Sequence, residues 1–119
     1  MQTQQQLSGK NSENIACHYL EQHGLILIDR NFSCRRGEID LIMRDKDTIV
    51  FVEVRYRRHD QFGSAAESVN IQKQKRLILT AKYYLQQTLT PLNTRFDVVA
   101  ISGIEPDIRI NWIQNAFGT

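Results

Sequence analysis

Apolar and polar positions change their period along this chain, and each change marks an element. Two stretches alternate with the period of a strand. The first is Gly37-Glu38-Ile39-Asp40-Leu41-Ile42-Met43 and the second is Thr48-Ile49-Val50-Phe51-Val52-Glu53-Val54-Arg55. Between them, Arg44-Asp45-Lys46-Asp47 reads as a hairpin connection with Lys46 and Asp47 at its tip. That loop sets Asp40 opposite Glu53 and Glu38 opposite Arg55. Alternation then gives one face to Glu38, Asp40, Ile42, Phe51, Glu53 and Arg55. The other face carries Ile39, Leu41, Met43, Val50, Val52 and Val54, all apolar and therefore core.

Helical periodicity flanks the hairpin. A helix is predicted from Lys10 to His23, ended by Gly24, with Ile15, Ala16, Tyr19 and Leu20 as its apolar stripe. Leu25 to Ile28 reads as a short buried strand, and Asp29 to Arg35 leads into the hairpin. Tyr56 to Ser64 is a polar loop turning at Gly63. A second helix is predicted from Asn70 to Gln87, buried through Leu77, Ile78, Ala81, Tyr84 and Leu85. A loop from Leu89 to Thr94 contains Pro91, and Arg95 to Ile101 is a buried strand. A helix between two strands implies a right-handed parallel crossover. Gly103 marks a turn, Asp107 to Trp112 suits an antiparallel edge strand, and Asn115 to Thr119 trails off. Residues 1–8, rich in Gln, read as a frayed arm ahead of one domain at 9–119. The order is α-β-β-β-α-β plus a last strand: an α/β (α+β) chain with a mixed sheet flanked by helices.

Charge enters this pattern in odd places. Asp40 and Glu53 sit opposite each other inside apolar runs, with Cβ atoms roughly 4.5–5.5 Å apart, where like charges repel. Burial adds a desolvation cost. Two readings stand. A divalent cation offsets both costs, since magnesium takes one or two carboxylates together with water and phosphate oxygens. Alternatively, the strands form a solvated, salt-bridged pair through Glu38 and Arg55. Glu13 shares the inward face of the first helix, where the helix dipole also favours an acid. Lys73 and Arg76, three apart on the second helix, are either a solvated face or a phosphate contact.

Composition excludes little. The 119 residues are 41% hydrophobic and 24% charged with a net charge of +2, as in many soluble globular domains. So small an excess of cations leaves local clustering to decide about a polyanion partner. Cys17 and Cys34 show no metal-type spacing. No apolar run approaches the ~20 residues that span a bilayer, and the polar N-terminus is unlike a signal peptide. No membrane association and a cytoplasmic location are expected. His18, His23 and His59 are not spaced as ligands.

Taken together, Gly9, Glu13 and Ala16, the blocks Gly37-Glu38-Ile39-Asp40-Leu41-Ile42 and Val50-Phe51-Val52-Glu53-Val54-Arg55, then Val69, Lys73, Arg76-Leu77 and Arg95-Phe96-Asp97-Val98, resemble the bacterial YraN family. The likeness covers residues 9 to 117. It implies a restriction-endonuclease-like fold, with archaeal Holliday junction resolvases as the functional relatives. In that superfamily the site is an acid on the first helix, an Asp on the second strand and Glu-x-Lys on the third. The matching positions are Glu13, Asp40 and Glu53-Val54-Arg55. Arg55 departs from the pattern: arginine holds a phosphate through its fork of donors but does not shed a proton.

The resemblance therefore implies an endonuclease dependent on magnesium or manganese, acting on structured or branched DNA, with a homodimer as the expected assembly. Asp40, Glu53 and the Val54 carbonyl would hold the metal, and Glu13 would orient water or complete the shell. Arg55 would clamp the scissile phosphate. Arg35, Arg36, Arg57, Arg58, Lys73 and Arg76 would contact flanking phosphates. A module of the same fold that binds nucleic acid without cutting it is the alternative.

Overall fold

A computed structural model describes residues 9–57, 69–88 and 93–118. Its elements run α1 Gly9–Gln22, β1 Ile26–Cys34, β2 Gly37–Asp45, β3 Thr48–Arg57, α2 Ile71–Thr88, β4 Asn93–Ser102 and β5 Arg109–Phe117. The predicted arm at 1–8, the loop residues 58–64 with Arg58, His59 and Gly63, and Pro91 lie outside the described residues.

The strands form one five-stranded sheet in the order β1-β2-β3-β4-β5. Neighbours are antiparallel except β3 and β4, which run parallel with α2 between them in sequence. The α-β-β-β-α-β order and the added C-terminal strand are as the periodicity implied. No described helix is long and apolar enough to cross a membrane.

Both faces of the sheet are covered. Ala16 and Leu20 of α1 pack with Leu41, Met43, Val50, Val52, Val99 and Ile101. Leu77, Ala81 and Tyr84 of α2 pack with Ile42, Ile49, Phe51, Phe96 and Val98 on the other side. Sheet strands buried on both faces read as near-continuous apolar runs, as β3 and β4 do.

Local chemistry sets the ends of these elements. Gly24, at φ 93, ends α1, and the Leu25 N–H returns to the Leu20 carbonyl at 3.1 Å. The Asn70 side chain accepts the Lys73 N–H at 2.9 Å and caps α2. Lys46 takes φ 55 at the hairpin tip, and Asp45 pairs with Thr48 through to Leu41 with Val52, the predicted register.

Five expectations need correction. Tyr56 and Arg57, read as the start of a loop, still belong to β3. The first strand is neither short nor buried: it runs to Cys34 as an edge, with Ile26 64% and Ile28 41% exposed. Among the described residues it pairs with β2 alone, with a register irregularity between Leu27 and Asp29. Asn93 and Thr94 already belong to β4. The chain does not trail off at Asn115, because β5 continues to Phe117, whose ring stacks on Phe96 at 5.0 Å. Finally, Ile39 does not share a face with Leu41: it packs with Phe32 in the α2-side core.

That last change of face has a local cause. The β1–β2 ladder steps from Arg30 opposite Leu41 to Phe32 opposite Ile39. In the skipped pair, Asn31 adopts φ 53 and Asp40 lies across from it. Strict alternation fails there, so Asp40 stands where β2 crosses from one core to the other.

Candidate functional site

The site begins where backbone pairing stops. The β2–β3 ladder ends at Leu41 and Val52, so Asp40 and Glu53 fall just beyond its last pair. In place of a main-chain partner on β2, the Val54 N–H donates to Asp40 Oδ2 at 2.8 Å. In a strand a residue's N–H and C=O lie on the same side. The Val54 carbonyl is therefore directed into the same opening as the Asp40 carboxylate.

Glu53 is 4% exposed. Its Oε2 meets two cations, Lys73 Nζ of α2 at 2.5 Å and Arg55 Nη1 at 3.6 Å. Burial, then the charge of Glu53, push the Asp40 carboxyl up to about 7, against the pull of the Val54 N–H. The charge of Glu13 and a hydrogen bond between the Asp40 and Glu53 carboxyls are smaller contributions to that rise. Two acids thus meet in a half-closed gap in which one readily keeps its proton.

The expected residues come together unequally. Asp40, Glu53 and Val54 meet directly. Arg55 touches Glu53, so its first contact is an acid of the site. Glu13 reaches Asp40 through its charge. Among the described residues, no group of three His, Cys, Asp or Glu is placed to hold a metal ion by itself. The donor set is instead two carboxylates and a backbone carbonyl. Oxygen donors of this kind suit a hard cation such as magnesium or manganese, which leaves its other positions to water and phosphate.

Further cations lie on the elements that carry this acidic gap. The turn between β1 and β2 exposes Arg35 and Arg36. Arg55 and Arg57 follow Glu53 at every second position and share its face. The start of β2 lies directly against α2: a Cβ at Gly37 would come 3.1 Å from Thr80 Oγ1 and 3.7 Å from Arg76 Cβ. Glycine here brings the Arg35–Arg36 turn beside Arg76, on the helix whose first turn carries Lys73. Of these cations, Lys73 and Arg55 reach the acids directly.

Two features escaped sequence reasoning. Lys73 was expected on flanking phosphate, yet it is bonded to Glu53; a strand-to-helix contact of this kind has no spacing in sequence. Asp97 on β4 is fully buried. It accepts hydrogen bonds from Arg95 Nε at 3.0 and 3.2 Å, Trp112 Nε1 at 2.9 Å and the Asn115 N–H at 2.9 Å. The acid inside Phe96-Asp97-Val98, two residues after Arg95, was its only signal. Trp112 and Phe117 are accordingly structural, as is Tyr56, whose hydroxyl donates to the Gly103 carbonyl at 2.8 Å. His23 bonds the Tyr19 carbonyl at 2.8 Å and packs on Tyr19 and Trp112, away from the acids.

Fold and site define a mixed-sheet α+β protein with an acidic gap at the end of its central hairpin, contacted by Lys73 and Arg55. Comparison with known proteins identifies the group to which it belongs. A profile described as uncharacterised protein family UPF0102 matches residues 12–101. A "UPF0102 protein" of Pseudomonas fluorescens is 48% identical over 120 residues, covering 98% of each chain. One from Nitrosococcus oceani is 50% identical, covering 92% of this chain and 90% of its own. One from Ectopseudomonas mendocina is 52% identical, covering 92% of each. The chain belongs to family UPF0102, in keeping with the resemblance read from its motifs.

Proposed function

We propose that this protein is a divalent-metal-dependent endonuclease acting on structured or branched DNA. The observation that carries the reading is the Asp40–Glu53 pair, with one carboxyl pushed up to about 7. Two acids held together in a half-buried gap repel, and a cation shared between them would relieve that cost. Asp40, Glu53 and the Val54 carbonyl would hold magnesium or manganese. Such an ion supplies Lewis-acid polarisation of the phosphate and a lowered pKa for attacking water. Glu13, felt at Asp40 from α1, would orient that water. Arg55 would stabilise charge developing on the phosphate. Arg35, Arg36, Arg57, Arg58 and Arg76 would contact flanking phosphates, giving salt-dependent binding that is largely indifferent to sequence. A preference for branches would come from shape, across a homodimer with two sites.

A second reading has its own support. Lys73 and Arg55 already neutralise Glu53 from the protein's side. An acid pair compensated in this way suits a module that binds nucleic acid without cutting it. Cleavage of branched, flapped and linear DNA with magnesium or manganese separates the two. Wild-type cutting that is lost in Asp40→Ala and Glu53→Ala supports the nuclease. DNA binding without cutting supports the module, and cutting that survives both substitutions counts against this site.

A further inference from the structure

We propose that Lys73 is a catalytic residue of this site, one that exchanges partners during the reaction. It holds Glu53 while the acid pair lacks a metal and turns to the phosphate being cleaved once one binds. This rests on the nuclease reading above and reassigns Lys73 from the flanking phosphates to the reacting group.

The geometry argues for it in three steps. First, Lys73 is the nearer of the two cations on Glu53, 2.5 Å against 3.6 Å for Arg55, and both address the same oxygen, Oε2. A dication shared by Glu53 and Asp40 places a double positive charge beside that ammonium, and the two repel strongly at such range. Second, Lys73 can leave without disturbing the fold. Its backbone is fixed by the Asn70 cap, while its side chain, 34% exposed, ends a flexible four-carbon stem. Third, Lys73 and Arg55 lie on the same Glu53 oxygen, so a phosphate taken by Arg55 would come within reach of the Lys73 ammonium. The compact ammonium, anchored in the first turn of α2, then meets charge developing on the phosphate as a point donor. Arg55, a planar fork on the strand itself, keeps the clamping role.

The test uses Lys73→Gln, which can still hydrogen-bond Glu53, and Lys73→Arg, which keeps the charge. Manganese binding is measured without DNA by electron paramagnetic resonance. Lys73→Gln is expected to bind manganese about tenfold more tightly, since a competing positive charge is gone. Unchanged affinity would overturn the exchange of partners. Single-turnover cleavage at saturating branched DNA should fall at least about 100-fold in Lys73→Gln, with DNA affinity within about threefold of wild type. A retained rate with DNA affinity down about tenfold and a shallower salt dependence would overturn the proposal and restore the flanking contact. Should Lys73→Gln not fold, Lys73→Arg decides: its bulkier fork should slow cleavage at least about tenfold at unchanged DNA affinity, and full-rate cleavage would overturn the assignment. Wild-type protein that binds no manganese overturns the nuclease reading and this assignment with it. Wild-type protein that binds manganese and cuts, beside a Lys73→Gln variant that cuts equally fast, overturns this assignment alone.

Discussion

Asp97 and Asp40 are both aspartates on inner strands, and both lie at an irregularity of the sheet. At Asp97 the irregularity supplies donors. The β4–β5 register shifts between Phe96 and Val98, and Asn115, at φ 51, presents its N–H to the carboxylate beside Trp112 and Arg95. At Asp40 the strands part and supply one N–H together with another acid. A break in pairing can therefore serve opposite ends. In β4 it completes the shell around an acid, and in β2 it leaves Asp40 with one N–H donor beside a second acid. Burial alone does not separate a structural acid from a functional one; the inventory of donors does.

If this contrast holds, the two positions respond to substitution with opposite signs. The largest effect belongs to Asp97→Ala. It leaves Arg95 Nε, the Trp112 N–H and the Asn115 N–H without their acceptor, while Arg95 Nη1 keeps its pair with Asp45 at 3.1 Å, and denaturant unfolding should show a loss of about 3–5 kcal/mol. A loss near zero would mean that the network contributes nothing. Next comes manganese. At about 100 times its dissociation constant it should stabilise the wild-type protein by about 2.7 kcal/mol, and Asp40→Asn should lose that gain. A thermal shift that persists in the variant would place the ion elsewhere.

Asp40→Asn without metal should do the reverse of Asp97→Ala. The folded carboxyl, at about 7, lies above its ordinary value of 3.8. Below that ordinary value it is neutral folded or unfolded, and the substitution changes little. As pH climbs through the interval up to about 7, the unfolded chain has lost a proton that the folded chain keeps, so stability falls with rising pH. The variant should therefore gain about 1–3 kcal/mol over wild type at about pH 8 and nothing at about pH 3. A loss of stability at both pH values would show that Asp40, like Asp97, is structurally satisfied. The smallest effect is Trp112→Phe, which removes one hydrogen bond to Asp97 and should cost about 1 kcal/mol in the same unfolding measurement.

The central hairpin was legible in the sequence because two signals agreed. Strand alternation gave the elements, and the Lys46–Asp47 tip gave the register that sets Asp40 beside Glu53. The helices were legible through their apolar stripes and through Gly24 and Asn70 at their ends. Three things were not legible, each for a physical reason. The change of face at Ile39 depends on the left-handed turn at Asn31, on a neighbouring strand. The length of β1 and β5 depends on pairing and on the Phe96–Phe117 stack, where local propensity is weak. The Lys73–Glu53 bond joins residues from a helix and a strand that only the finished fold brings together. The residues of the acidic pair could thus be named in advance, but not the cation that answers it.

One measurement bears most directly on whether the Asp40–Glu53 gap is a cation site: anomalous scattering from a crystal of the protein grown with manganese. A peak bonded to oxygens of both carboxylates and to the Val54 carbonyl is the expected result. A crystal whose only manganese lies away from Asp40, or one with Lys73 still closed on Glu53 and no peak at the gap, would contradict it.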